Sequence, residues 1–256
     1  MAPTAVRLFC LPYSGASAMV YARWRQALPP WLSVSPLELP GRGARRQEPL
    51  ATDPHRLASD LAGDLARELV RDIDGDYALF GHSLGALLAF EIAHALLERG
   101  VRAPRALFAA GSEAPAVRDD SDMRRARTDA ELIAELRDLE GTPREVLDDE
   151  EMMRLVLPVL RADFLLCGHY AYRRRSVLPC PIHVLGGRED AVGEEALRAW
   201  AEETSGGFSL QFFDGSHFFI HGRQAAVLDA IERHLSPGVR FNWVGGDAAV
   251  FSGPSV

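Results

Sequence analysis

Along this chain, short uninterrupted apolar runs alternate with longer stretches in which apolar residues recur every three to four positions. The first pattern predicts buried strands and the second predicts amphipathic helices. Strands are expected at 6–11, 31–39, 77–80, 106–110, 182–185 and 209–213, and helices at 55–70, 83–98, 194–203 and 224–235. The 55–70 stretch sets Leu57, Leu61, Leu65 and Leu69 four apart, which draws one apolar stripe along a helix. The 83–98 stretch is almost wholly Ala, Leu, Phe and Ile and is expected to lie buried against the sheet. Strand–helix alternation of this kind builds a parallel sheet covered by helices on both faces.

Between the fourth and fifth strands the alternation stops. Residues 113–175 are rich in charge and helical in pattern, clearest at 128–139 and 149–172. Thr128 or Asp129 can cap the first of these, with Glu131 in its first turn. Pro158 should kink or break the second, because it lacks an N–H and clashes with the preceding turn. An insertion at this point of an α/β sheet is expected to cover the strand ends as a lid. One domain, 1–238, with a lid at about 113–175 is therefore expected. The Gly-rich segment 239–256 is expected to be a C-terminal surface extension.

Composition narrows the chemistry. All 28 basic residues are arginine, and there is no lysine. Internal Schiff bases, a Walker A loop and a kinase strand lysine are thereby excluded. A net charge of −8 disfavours non-specific nucleic-acid binding. Cys10, Cys167 and Cys180 form no CxxC or zinc pattern, which suits a reducing compartment. The first residues do not read as a secretory signal, and no apolar run approaches a membrane span. A cytoplasmic monomer without cofactor or metal is expected.

The chemistry concentrates at Gly81-His82-Ser83-Leu84-Gly85, a G-x-S-x-G between an expected strand and an expected helix. That context makes Ser83 a candidate nucleophile at a sharp turn, with the backbone N–H of Leu84 as an oxyanion donor. A serine needs a base, and in this arrangement an acid and then a histidine follow late strands. His217, after the last strand, is the candidate base, and Glu189 and Asp190 both qualify as the acid. The remaining histidines are read as packed or solvated side chains.

Five segments together resemble the stand-alone, type II thioesterases that accompany polyketide synthases and nonribosomal peptide synthetases. They are Leu11-Pro12-Tyr13-Ser14-Gly15-Ala16-Ser17, Leu39-Pro40-Gly41-Arg42-Gly43 with Glu48-Pro49, Gly81-His82-Ser83-Leu84-Gly85-Ala86, residues 186–190, and Gly215-Ser216-His217-Phe218-Phe219. The first loop departs modestly, with Ala16 where a second glycine is common. The resemblance implies an α/β-hydrolase fold, a mostly parallel central sheet with helices on both faces and a helical lid. It assigns the acid to Asp190 and a second oxyanion donor to the N–H of Ser14. It implies hydrolysis of acyl groups from the phosphopantetheine arm of an acyl or peptidyl carrier protein, with removal of stalled or aberrant units. A carboxylesterase or lipase of the same fold and a non-catalytic acyl-binding member are the alternatives.

Two further features bear on partners and substrate. Arginines at 42, 45 and 46, at 124, 125 and 127, and at 173–175 could dock an acidic carrier or could be solvated charges. Met152, Met153, Leu155, Leu157, Leu160, Phe164, Leu165 and Tyr170 could wall an acyl tunnel or form an ordinary helical core stripe.

Overall fold

The computed structural model describes residues 5–71, 76–138 and 147–236. The chain runs β1 (Val6–Leu11), α1 (Trp24–Ala27), β2 (Leu32–Pro36), α2 (Pro54–Arg71), β3 (Asp76–His82), α3 (Leu84–Glu98) and β4 (Leu107–Ala110). It continues through α4 (Asp129–Asp138), α5 (Glu150–Gly168), β5 (Ile182–Gly187), α6 (Glu194–Arg198), β6 (Phe208–Phe213), α7 (Phe219–Gly222) and α8 (Gln224–Leu235). Six strands pair in the order β2-β1-β3-β4-β5-β6, and every pair is parallel. This is the expected α/β-hydrolase architecture.

Strand residues alternate between two cores, as the period of two requires. Phe9, Leu11, Tyr77, Leu79, Leu107 and Ala109 face α2 and α3, and the four-spaced leucines of α2 join them. Leu8, Cys10, Ala78, Phe80, Phe108 and Ala110 face Trp24 of α1 and Val227 and Ile231 of α8. Each leucine so buried contributes about 1.5–3 kcal/mol relative to exposure. From Leu84 to Leu96 every residue of α3 is buried, and Glu91 is its one buried carboxylate.

The order also locates the site. The chain leaves β1 toward β2 on one side and returns to β3 on the other, so the loops after β1 and β3 diverge. A crevice opens at the carboxyl ends of the two strands, where α/β sheets place their ligands.

Residues 111–181 form the insertion between β4 and β5 and contain α4 and α5. Thr128, not Asp129, caps α4. Its hydroxyl accepts from the Glu131 N–H while Glu131 accepts from the Thr128 N–H, a reciprocal box. Pro158 neither breaks nor ends α5, which runs through it. Pro158 lies on the solvent side, so water can reach the backbone it leaves unpaired, and the buried stripe Met153, Leu157, Leu160 and Phe164 holds the helix down. Asp149 caps this helix, which ends at Gly168 and not at 172. No described helix is long and apolar enough to cross a membrane. The expected extension 239–256 lies outside the described residues.

Candidate active site

One residue connects β3 to α3. Ser83 takes up the whole change of direction at φ 54°, ψ −118°, the only positive φ of a non-glycine residue among those described. Such a conformation costs on the order of 1–3 kcal/mol and persists only where its surroundings enforce it. Here the enforcement is steric. A Cβ on Gly81 would lie 2.0 Å from the Gly85 carbonyl oxygen, and one on Gly85 would lie 2.2 Å from that of Leu11. The Ser83 N–H is held by the Ala110 carbonyl at 2.8 Å. The N–H of Leu84 opens α3, where first-turn amides have no intrahelical acceptor and the helix dipole favours negative charge.

The acid and the histidine come from neighbouring strand ends. Asp190 lies three residues beyond β5 and His217 four beyond β6. His217 Nδ1 lies 2.9 Å from Asp190 Oδ2 and 3.1 Å from Oδ1. The Val192 N–H donates to Asp190 Oδ1 at 3.2 Å and fixes the carboxylate. Gly187 lets the two loops approach, since a Cβ there would lie 2.5 Å from the Ser216 oxygen. Glu189, the other acid the chain order allows, is exposed. The His82 ring, adjacent to Ser83 in the chain, packs 4.9 Å from the His217 ring, which brings the histidine loop against the end of β3.

His82 is fully buried, and among the described residues neither ring nitrogen has a side-chain hydrogen-bond partner. Burial first, and then the neighbouring His217 and His221, push its pKa well down. It is therefore a neutral packing group. Tyr13 leans on it edge-on and reaches His221 Nε2 with its hydroxyl at 3.0 Å. Burial raises the Tyr13 hydroxyl to about 12 and lowers His221, so Tyr13 donates and His221 accepts.

The loop after β1 closes with a Tyr13 carbonyl to Ala16 N–H bond of 3.1 Å. Gly15, third in this turn, has φ 80°, the sign a type II turn requires there. Ser14 sits at the apex, over the end of β1 and beside the end of β3, where Leu11 pairs with Gly81.

Two side chains meet at this loop, Arg42, considered above for docking, and Asp163, to which the sequence assigned no role. Asp163 of α5 is fully buried and accepts from the Gly15 N–H at 2.7 Å. It takes Arg42 in a two-pronged bond, 2.6 Å on each side. Arg42 also donates to the Ala16 carbonyl at 3.2 Å. Asp163 is a carboxylate on the apolar face of an amphipathic helix, and a buried charge demands a partner. That anomaly is visible in the sequence, although the partner is not.

The arginine clusters are mostly committed within the chain. Arg45 pairs with Glu48, Arg125 with Glu131, Arg127 with Asp122 and Glu135, and Arg175 with the buried Glu91. Arg124 donates to the Gly168 carbonyl. Arg46, Arg173 and Arg174 remain exposed. Of the apolar residues considered for an acyl wall, Met153, Leu157, Leu160 and Phe164 form a core with Leu132, Leu136 and Leu147. Met152 and Leu155 face solvent.

A surface cavity of about 460 Å³ is lined by Gln211, Asp229 and Arg233 of β6 and α8, and one of about 300 Å³ by Glu38, Arg45 and Asp64. Neither includes Ser83, Asp190 or His217, so the reactive groups and not cavity size mark the site. Among the described residues no cluster of His, Cys, Asp or Glu could hold a metal ion.

The chain is similar to known proteins over most of its length. Linear gramicidin dehydrogenase LgrE of Brevibacillus parabrevis is 37% identical over 90% of this chain and 88% of its own. Thioesterase PikA5 of Streptomyces venezuelae is 37% identical over 91% of this chain and 82% of its own. The solved structure of the type II thioesterase BorB from the borrelidin biosynthetic cluster is 40% identical, covers 91% of this chain and 94% of its own, and superposes with a TM-score of 0.79. The model of the thioesterase domain family matches residues 6–235, and the chain belongs to that family.

Proposed function

We propose that this chain is a serine thioesterase that hydrolyses acyl groups from the phosphopantetheine arm of a carrier protein in a polyketide or nonribosomal peptide pathway. In this reading Ser83 attacks the thioester carbonyl, His217 accepts its proton, and Asp190 holds the imidazole and stabilises its cation. The N–H groups of Leu84 and Ser14 receive the oxyanion. The observation that carries the reading is the strained Ser83 at the elbow, together with a His217 that is hydrogen-bonded to Asp190 and packs its ring on His82, the residue before Ser83.

The leaving thiolate departs readily, since a thiol has a pKa of about 8.5. His217 therefore has its harder task in the second half, where it activates water against the acyl-Ser83 ester. Residues 113–175 act as the lid, and a cytoplasmic enzyme working on carrier-bound units in trans fits the type II relatives. LgrE carries a dehydrogenase name, but β1 here runs into Leu11-Pro12-Tyr13-Ser14-Gly15-Ala16, which lacks the G-x-G-x-x-G of a dinucleotide fold.

The test is acyl release from loaded carrier protein by wild type and by Ser83→Ala, His217→Ala and Asp190→Asn. Losses of at least a thousandfold are expected for the first two, in line with other triads. Full activity of Ser83→Ala would overturn the assignment. Matched thioester and oxygen-ester substrates test the carboxylesterase alternative, for which a clear ester preference would speak.

A further inference from the structure

The loop after β1 is not held by its own turn alone. One face of α5 is laid against it. Leu160, Asp163 and Cys167 lie at i, i+3 and i+7, on one side of the helix. Leu160 reaches to within 3.3 Å of where a Cβ on Gly15 would stand. Asp163 accepts the Gly15 N–H, and the Cys167 thiol interacts with the Ser14 hydroxyl. On the other side, Tyr13 is tied to His221, just beyond His217. Ser14 is thus bracketed by an inserted helix and by the histidine loop.

We infer that Asp163 is a positioning residue that couples the seating of α5 to the oxyanion hole, by fixing the peptide between Ser14 and Gly15 through the Gly15 N–H while Arg42 fixes Asp163. The inference rests on the proposed roles of Ser83 and Ser14. Its physical basis is directional. The Asp163 carboxylate can turn little, because Arg42 grips both oxygens. The Gly15 N–H must point at it, which constrains the orientation of the Ser14–Gly15 peptide and the direction of the neighbouring Ser14 N–H. Gly15, in a left-handed conformation, supplies no side chain that could hold the loop instead. With α5 lifted, the turn would keep its Tyr13–Ala16 bond but lose the group that aims it.

Single removal of Arg42 or Asp163 leaves an unpaired buried charge, so the test replaces both. Exchanging a buried ion pair for apolar groups of similar size is often neutral for folding. Arg42→Met/Asp163→Leu is therefore expected to fold, as read by circular dichroism and thermal melting. A small acyl thioester, which does not depend on carrier docking, is the substrate. We expect kcat about 10- to 100-fold lower with KM within threefold, less than or comparable to outright loss of one oxyanion donor. An acyl trifluoromethyl ketone, whose adduct on Ser83 carries an oxyanion, should lose affinity by a similar factor. The corresponding secondary trifluoromethyl alcohol, which forms no adduct, should bind unchanged. Asp163→Asn keeps an acceptor for Gly15 and should fall about fivefold in kcat, between wild type and the double variant.

Wild-type kcat and ketone affinity in the folded double variant would overturn the inference, as would a rise in KM alone. If the double variant does not fold, unchanged kcat in Asp163→Asn overturns it equally. Retained hydrolysis by Ser83→Ala removes the underlying nucleophile assignment. Loss in Ser83→Ala with wild-type kcat in the double variant removes only the role of Asp163.

Discussion

Two buried carboxylates, Asp163 in α5 and Glu91 in α3, each receive an arginine from far along the chain. Asp163 sits in the insertion and reaches down to the loop after β1, with Arg42 gripping both its oxygens. Glu91 sits in the core helix and is reached from above by the segment after α5. It takes Arg175 at 2.6 Å, the Tyr170 hydroxyl at 2.9 Å and His55 Nδ1 at 3.2 Å. The first node joins one cation to a backbone amide of the loop after β1; the second spreads its charge over three side chains. Side-chain exposure follows the same division, at 7% and 0% for Arg42 and Asp163 against 22% for Arg175. The comparison teaches that one kind of contact can hold a loop by its backbone or fasten a strap by its side chains, depending on what the carboxylate's remaining lone pairs face.

The largest effect expected is from Arg42→Ala. It strands the Asp163 charge and should cost about 3–5 kcal/mol in urea unfolding, with kcat reduced at least tenfold by the loss of loop alignment. Glu91→Gln should cost about 2–3 kcal/mol, because its hydrogen bonds to charged partners are weakened, and leave kcat within twofold. A drop in kcat for Glu91→Gln equal to that for Arg42→Ala would erase the distinction between the nodes.

His94 sharpens the second node through pH. Burial, assisted by Arg175, lowers it from the usual 6.5 to about 4. Between those values the unfolded chain binds a proton that the folded chain refuses. Stability is therefore greatest above pH 6.5 and declines as pH falls toward 4, by about 2 kcal/mol at pH 5 from this residue. His94→Gln should flatten that part of the profile of melting temperature against pH, and an unaltered slope would show that His94 is not buried in its neutral form. Tyr170→Phe, which removes one of three partners of Glu91, should cost about 1 kcal/mol without changing kcat.

Much of this molecule is legible in its residues. The four-spaced leucines of α2, the apolar α3 and the glycines at 81 and 85 each obey a local rule, and the structure meets each of them where the rule places it. The strand–turn–helix context of Ser83 and the order of Asp190 and His217 after late strands are local as well. What escaped are the pairings across distance. Arg42 and Asp163 are 121 positions apart, and Arg175 and Glu91 are 84 apart. An arginine on a loop looks the same whether it meets solvent or a buried carboxylate, so the nine arginines considered for docking could not be sorted. Pro158 sits inside an unbroken α5 for a related reason. Its penalty is local, whereas the packing that outweighs it is supplied by α4 and the 147 region.

The sequence by itself determined the strand and helix periods, the elbow at Ser83 and the type of chemistry available without lysine, because these depend on spacing and on side chains a few residues apart. Only the tertiary structure decided that the Asp190 carboxylate comes within bonding distance of His217 Nδ1, that six of the nine arginines are already spoken for, and that α5 holds the loop after β1. Those outcomes depend on which buried charges come within bonding distance once the sheet and insertion have packed. Desolvation makes such partners mandatory, but no local pattern names them.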